Sequence, residues 1–170
     1  MKEIPLSKKS IYHGNVDMPE GFEIDYVQLV KDITVSQLYN KKIAFSKARD
    51  MVNTYVTDYA LAYHKLHLET LEQKGKFYLP LEHSFERSLI DPLNLKHSPD
   101  YIMLYGVEIE PGSCKIKIFY DDNRRKNRYW EILLENNKFI MFPANLSYSV
   151  SKNLSDRLNY ILTTTYHESK

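Results

Sequence analysis

FIMFPANLSYSVSKNLSDRLNYILTTTY, residues 139–166, is the stretch on which the fold turns. Residues 139–142 are uninterrupted apolar side chains, Pro143 and Asn145 stop them, and residues 146–150 resume an extended pattern. Residues 151–156 are polar, with Asn153, Ser155 and Asp156 supplying turn chemistry. Residues 157–166 then alternate, with Arg157 at their start. Apolar, β-branched and aromatic runs bounded by turn residues read as strands. A strand, a polar mouth and a second strand beginning with Arg describe either a ligand site in a β-barrel or β-sandwich, or the last hairpin of a structural sheet. The stretch alone leaves both open.

Upstream, the same grammar reaches back to residue 76. Extended runs fall at 77–81, 85–90, 101–110, 115–120 and 129–134. They are separated by Asp91-Pro92, Ser98-Pro99, Pro111-Gly112, Asp122-Asn123 and Asn136-Asn137. Lys115 and Lys117 alternate with Ile116 and Ile118, which gives that strand one wet face. Phe119 and Tyr120 end the alternation, which predicts cover on both faces there. About eight short strands in so little chain predict a sandwich or jelly roll.

Before residue 76 the spacing is helical. Asp25 has Gln28 three positions on, as in a capping box. Tyr26, Leu29, Val30, Ile33 and Leu38 then predict a helix over 26–39. A broader stripe through Met51, Val52, Tyr55, Val56, Tyr59, Ala62, Tyr63, Leu66 and Leu71 predicts a long helix over 45–74, capped by Gly75. Tyr55, Tyr59 and Tyr63 are read as core. A loose alternation over 4–13 predicts an opening strand, and Gly14 to Gly21 a loop. Helices first and strands after make an α+β chain of one domain, with a mainly helical part over 1–75 and a β-rich part over 76–170.

Composition narrows the function. Lys+Arg 23 against Asp+Glu 22 leaves a net charge of +1, so a charge-driven nucleic-acid or membrane-surface role is not indicated, although a local basic patch is compatible with it. One cysteine, Cys114, excludes a disulfide framework and a cysteine-rich metal site. No run approaches the roughly 18 apolar residues of a membrane span. The N-terminus has no apolar signal core, so the expected location is cytoplasmic, or the host cytoplasm or virion if the gene is a phage's. Heavy use of Lys, Asn, Ile and Tyr fits an A/T-rich genome, as in many phages.

Residues 105–119 (YGVEIEPGSCKIKIF), 129–150 (YWEILLENNKFIMFPANLSYSV) and 153–162 (NLSDRLNYIL) resemble the C-terminal half of 2-oxoglutarate/Fe(II)-dependent dioxygenases, closest to their small bacterial and phage branch. The resemblance implies a double-stranded β-helix, jelly-roll-like, of about eight strands with the N-terminal helices packed on it. A generic β-sandwich with two helices is the other fold compatible with the residues. In that family two His and one carboxylate hold Fe(II), and an Arg after the second His binds the far carboxylate of 2-oxoglutarate. The order here puts Arg157 at the 2-oxoglutarate position, Tyr148 where the second His belongs, and His97 with Asp100 in place of a His-x-Asp pair. A neutral phenol, with its pKa near 10, is a poor Fe(II) ligand.

These departures favour a non-enzymatic binding or structural protein on a dioxygenase-like scaffold. It would need no cofactor and act by protein–protein contact in an oligomeric assembly, as a phage accessory or virion-assembly component. The alternative is an active oxygenase with Fe(II) on His97, Asp100 and Tyr148 and 2-oxoglutarate on Arg157. No residue is assigned a catalytic role.

Other clusters have plainer readings. His64 and His67 sit at a spacing that binds metals on a helix, but no Glu completes a zincin pattern. Arg124, Arg125, Lys126 and Arg128, beside Tyr129 and Trp130, could grip a phosphate. Asp121 and Asp122 offset that charge, so a solvated hairpin tip is expected and nucleic acid is not.

Overall fold

The structure is a computed structural model that describes residues 1–4, 10–17, 20–21, 23, 25–41, 47–87, 98–123 and 126–169. Its elements run β1 (Tyr12–Asn15), α1 (Tyr26–Leu38), α2 (Lys47–His64), β2 (Leu68–Tyr78), β3 (Ser84–Arg87), β4 (Tyr101–Glu108), β5 (Lys115–Asn123), β6 (Lys126–Leu133), β7 (Lys138–Pro143), β8 (Ser147–Val150) and β9 (Asn159–Glu168).

One sheet has the order β1-β7-β4-β9-β2 and the other β3-β8-β5-β6, every pairing antiparallel. From β2 onward the chain changes sheet after every strand except at the β5–β6 hairpin, so that β2, β9, β4 and β7 wind against β3, β8, β5 and β6. That winding is a jelly roll of the double-stranded β-helix kind.

Parity assigns each side chain to a layer. In β4, Met103, Tyr105 and Val107 face the helices, while Ile102 and Leu104 face the second sheet. In β7, Phe139 and Met141 go to the helices, and Ile140 and Phe142 to the second sheet. A strand covered on both faces has no polar alternation, which is why YIMLYGV and FIMF read as continuous apolar runs. The second sheet has one buried face: Ile116, Ile118, Tyr148 and Val150 point inward.

Asp25 caps α1 as its sequence predicts, its Oδ1 accepting from the Gln28 amide at 3.0 Å. α1 lies so close to β2 that a Cβ on Gly75 would come within 2.7 Å of the Ile33 Cα. The long helix expected over 45–74 is two elements. α2 ends at His64, Lys65 takes a left-handed φ of 57°, and residues 68–78 are a strand. Leu66 and Leu71 fit a 3.6 period, but the stretch pairs with β9 from Leu68 to Tyr78, through a bulge between Thr70 and Glu72, and that pairing decides the matter. Gly75 is therefore a mid-strand residue under a helix and caps nothing. The boundary between helical and β-rich parts moves back accordingly, from 75 to about 67. The buried stripe of α2 is Val52, Val56 and Ala60, whereas Tyr59 and Tyr63 are exposed. The tyrosine stripe is thus the flank of the helix. Phe119 and Tyr120 also depart from expectation: a bulge follows Phe119, and Tyr120 turns to solvent.

Candidate functional site

β2 and β3 are the neighbouring edges of the two sheets, and the mouth between them is built by the decisive stretch. The loop after β2 is fastened to the loop after β8. The Leu81 amide donates to Asn153 O at 2.7 Å, and the Asn153 amide to Glu82 O at 3.1 Å. The Asn153 side chain is buried and donates to Tyr78 O at 3.2 Å and Arg157 O at 2.8 Å. Its Oδ1 accepts from the Ser155 hydroxyl at 2.6 Å. The polar turn is therefore a hydrogen-bonded clamp, and a buried amide with its partners satisfied fixes the loop geometry.

That clamp fixes the backbone of Arg157, whose side chain is largely exposed. Its Nη1 lies 3.6 Å from Glu110 Oε1, a surface pair worth at most about 1 kcal/mol. Behind it sits Asn159, which the sequence reading passed over. Asn159 is buried, accepts from the Glu110 amide at 3.0 Å and donates to Ser113 Oγ at 2.9 Å. The Pro111-Gly112 turn is tied to β9 in this way.

Inside the mouth lies a cavity of about 230 Å³ whose walls include Gln37, Lys76, Tyr78, Tyr148 and Thr163. Tyr148 is 7% exposed, with its ring 5.2 Å from that of Phe142 and near-perpendicular to it. Its backbone pairs with Glu86 on one side and Ile118 on the other. Lys76 reaches across from β2 to donate to Ser84 Oγ of β3 at 3.3 Å, and its ammonium lies 4.8 Å from the centre of the Tyr78 ring. Lys76 and Tyr78 fall at and after the join between the helix expected over 45–74 and the extended run expected over 77–81, and in β2 their shared parity places both on one face.

Of the predicted site residues, Asp100 and Arg157 do not converge. The Asp100 carboxylate accepts from the Glu168 amide at 2.7 Å. It also faces His167 Nδ1 at 3.0 Å, without hydrogen-bond geometry. It is thus held at the far end of β9, whereas Arg157 precedes the near end. Ten residues of strand at about 3.3 Å each separate them by about 30 Å, so one small ligand cannot touch both. Tyr148 lies between the sheets. His97, Arg124 and Arg125 fall outside the described residues. His64 ends α2, with its ring 4.6 Å from that of Tyr12, and His67 follows the helix, so the two do not form a helical metal pair.

Burial pushes the Tyr101 phenol and the Cys114 thiol each up to about 12. Glu168 adds to the effect at Tyr101. Cys114 is therefore an inert core thiol. Among the described residues no helix is long and apolar enough to cross a membrane.

No protein-family model and no curated protein matches the sequence. Solved structures do superpose. A prolyl-4-hydroxylase from Pseudomonas putida aligns with a TM-score of 0.65 at 13% identity, over 95% of this chain and 89% of its own. The non-heme alpha-ketoglutarate-dependent carbocyclase SnoK of nogalamycin biosynthesis aligns at 0.63 and 7%, over 93% of this chain and 79% of its own. AviO1 from Streptomyces viridochromogenes aligns at 0.63 and 9%, over 93% and 89%.

These likenesses correct one expectation. A cofactor-free protein was inferred from Tyr148 and the broken His-x-Asp pair. The superposed structures, however, include a carbocyclase and an epimerase named as alpha-ketoglutarate-dependent and an oxidoreductase of the 2OG-Fe(II) oxygenase family, so the fold gives no ground for expecting a cofactor-free protein. The described residues do not by themselves fit the iron: none of them forms a cluster of three His, Cys, Asp or Glu able to hold a metal. What the chain has, over nearly its whole length, is the double-stranded β-helix fold of the 2-oxoglutarate/Fe(II)-dependent oxygenases.

Proposed function

We propose that this chain binds 2-oxoglutarate, or a dicarboxylate of the same class, at the mouth between β2, β3, β8 and β9. The observation that carries the reading is Lys76, a half-buried residue whose ammonium bridges the two sheet edges to Ser84 Oγ and which lines a cavity with Tyr148 and Thr163. A carboxylate entering such a site gains a charge-assisted hydrogen bond in surroundings drier than bulk water. Arg157 is the second contact we assign, in line with its place in the resemblance. Its clamped backbone keeps the guanidinium at the chain's entrance to β9, and its loose pair with Glu110 is easily exchanged.

An oxygenase acting on an unknown substrate is the second reading, favoured by the named activities of the superposed structures. The non-enzymatic virion-assembly reading draws no support from those likenesses.

Calorimetry with 2-oxoglutarate alone tests the first reading. Saturable binding that is lost in Lys76→Ala is expected, and no heat at millimolar ligand sinks it. For the second reading, anaerobic titration with Fe(II) and 2-oxoglutarate should produce a visible charge-transfer band. If no band forms, and Mn(II) with 2-oxoglutarate leaves the melting temperature unchanged, that reading ends.

A further inference from the structure

The helices leave the outer face of the second sheet to other uses: among the described residues their main contacts are with β2, β4 and β9 of the first sheet. Three rings stand in a row across it. Phe85 on β3 lies 6.1 Å from Phe119 on β5, and Phe119 lies 5.9 Å from Tyr129 on β6. Phe85 is 61% exposed and Tyr129 48%. Ser147 and Ser149 of β8 pair with Phe119 and Phe85, and their small side chains leave the rings standing above the sheet.

Beside the rings is a shallow cavity of about 270 Å³ lined by Lys115, Lys117, Lys152, His83 and Glu131, with the hydroxyls of Ser149 and Ser151. Lys115 and Lys117 share the single carboxylate of Glu131 at 3.8 and 3.9 Å. Lys117 also lies over the Tyr129 ring at 4.7 Å. With Lys152, three ammonium groups meet one carboxylate among the described residues lining the cavity, a local cationic excess although the whole chain carries only +1.

We propose that this face binds single-stranded nucleic acid, with bases stacking on Phe85 and Tyr129 and phosphates held by Lys115, Lys117 and Lys152. A flat aromatic row bordered by lysines suits planar rings on an anionic backbone, the combination by which sheet surfaces hold single strands without reading sequence. An acidic peptide would satisfy the lysines but has no planar group for each ring. The mouth between β2 and β3 takes no part.

Fluorescence anisotropy of a labelled oligothymidine at low salt tests this. Saturable binding is expected, with log affinity falling against log salt at a slope of about −2, from three phosphate contacts at about −0.7 each. Phe85→Ala and Tyr129→Ala should each weaken binding about tenfold, the size of one lost base stack. Phe85→Leu, which keeps the apolar bulk without the ring, should weaken it comparably. Lys117→Glu and Lys152→Glu should weaken binding and flatten the salt slope, with circular dichroism confirming that each variant folds.

Absence of saturable binding at low salt overturns the proposal. So does equal displacement by polyglutamate with the ring variants at parental affinity, which would mark an acidic-peptide surface. Sedimentation showing a dimer that blocks the oligonucleotide would assign the face to a second copy of the chain and likewise overturn it.

Discussion

The two sheets share an interior and differ on their outer faces. The first is buried on both sides: β4 gives Met103, Tyr105 and Val107 to the helices and Ile102 and Leu104 to the second sheet, all of them at most 5% exposed. The second sheet sends Ile116, Ile118, Tyr148 and Val150 inward and leaves Phe85, Tyr129, Lys115 and Lys117 in or near solvent. The first sheet therefore carries stability, and a change on either of its faces is felt through the core. The second is anchored on one face and free to bind on the other.

The steepest way to break this contrast is in β4. A Cβ on Gly106 would sit 2.1 Å from the backbone oxygen of Glu135, which cannot swing aside as a side chain would. Gly106→Ala should cost about 3 kcal/mol or more by overpacking, measured as a fall in urea midpoint, and any bulkier residue should abolish soluble expression. Next in size is Leu162→Ala. Leu162 is fully buried in β9 beneath the helices, and the expected loss is about 2–5 kcal/mol. A loss below about 1 kcal/mol would show that the helix layer is loose.

Alkaline pH gives a smaller effect of defined sign. Cys114 and Tyr101, each raised to about 12 in the folded chain, keep their protons there while the unfolded chain gives them up from about 9 and 10. Between those values the native state binds more protons, so stability is intact below about pH 9 and declines as pH climbs toward 12. Chemical denaturation at pH 8 and 10.5 checks the sign. Native Cys114 should also resist thiol reagents at pH 8 and react once the chain is unfolded.

Most strands were legible because their boundaries are chemical. Pro111-Gly112, Asn136-Asn137 and Pro143 stop the chain where the structure turns, and the apolar runs of β4 and β7 announce burial on both faces. The start of β2 was not legible, since Leu66 and Leu71 continue the stripe of α2 and only the partner strand β9 reveals the other period. The bulge after Phe119 is likewise decided by pairing with β6. In the site, the polar turn announced Asn153 and Ser155 as turn residues, but their clamping role depends on the loop after β2, far away in sequence. Lys76 lies between the expected helix and the run expected from 77, and its contact with Ser84 of the other sheet is a tertiary one that no local pattern announces. Asp100 and Arg157 were grouped by their order along the chain, and a ten-residue strand holds them apart.

The smallest expected effect on stability is the sharpest test of the contrast. Phe85 is at least as large and apolar as Leu162, yet it is 61% exposed, and among the described residues its ring partner is the partly buried Phe119. Its truncation removes little buried area, so Phe85→Ser should change stability by about 0.5 kcal/mol or less, as surface substitutions do. On the nucleic-acid reading the same change should weaken oligothymidine binding about tenfold. Parent-like melting with lost binding would separate the two faces of the sheet into anchor and contact surface. A stability loss near that of Leu162→Ala would mean that the outer face is covered in the folded protein, and the division of labour between the sheets would fall with it.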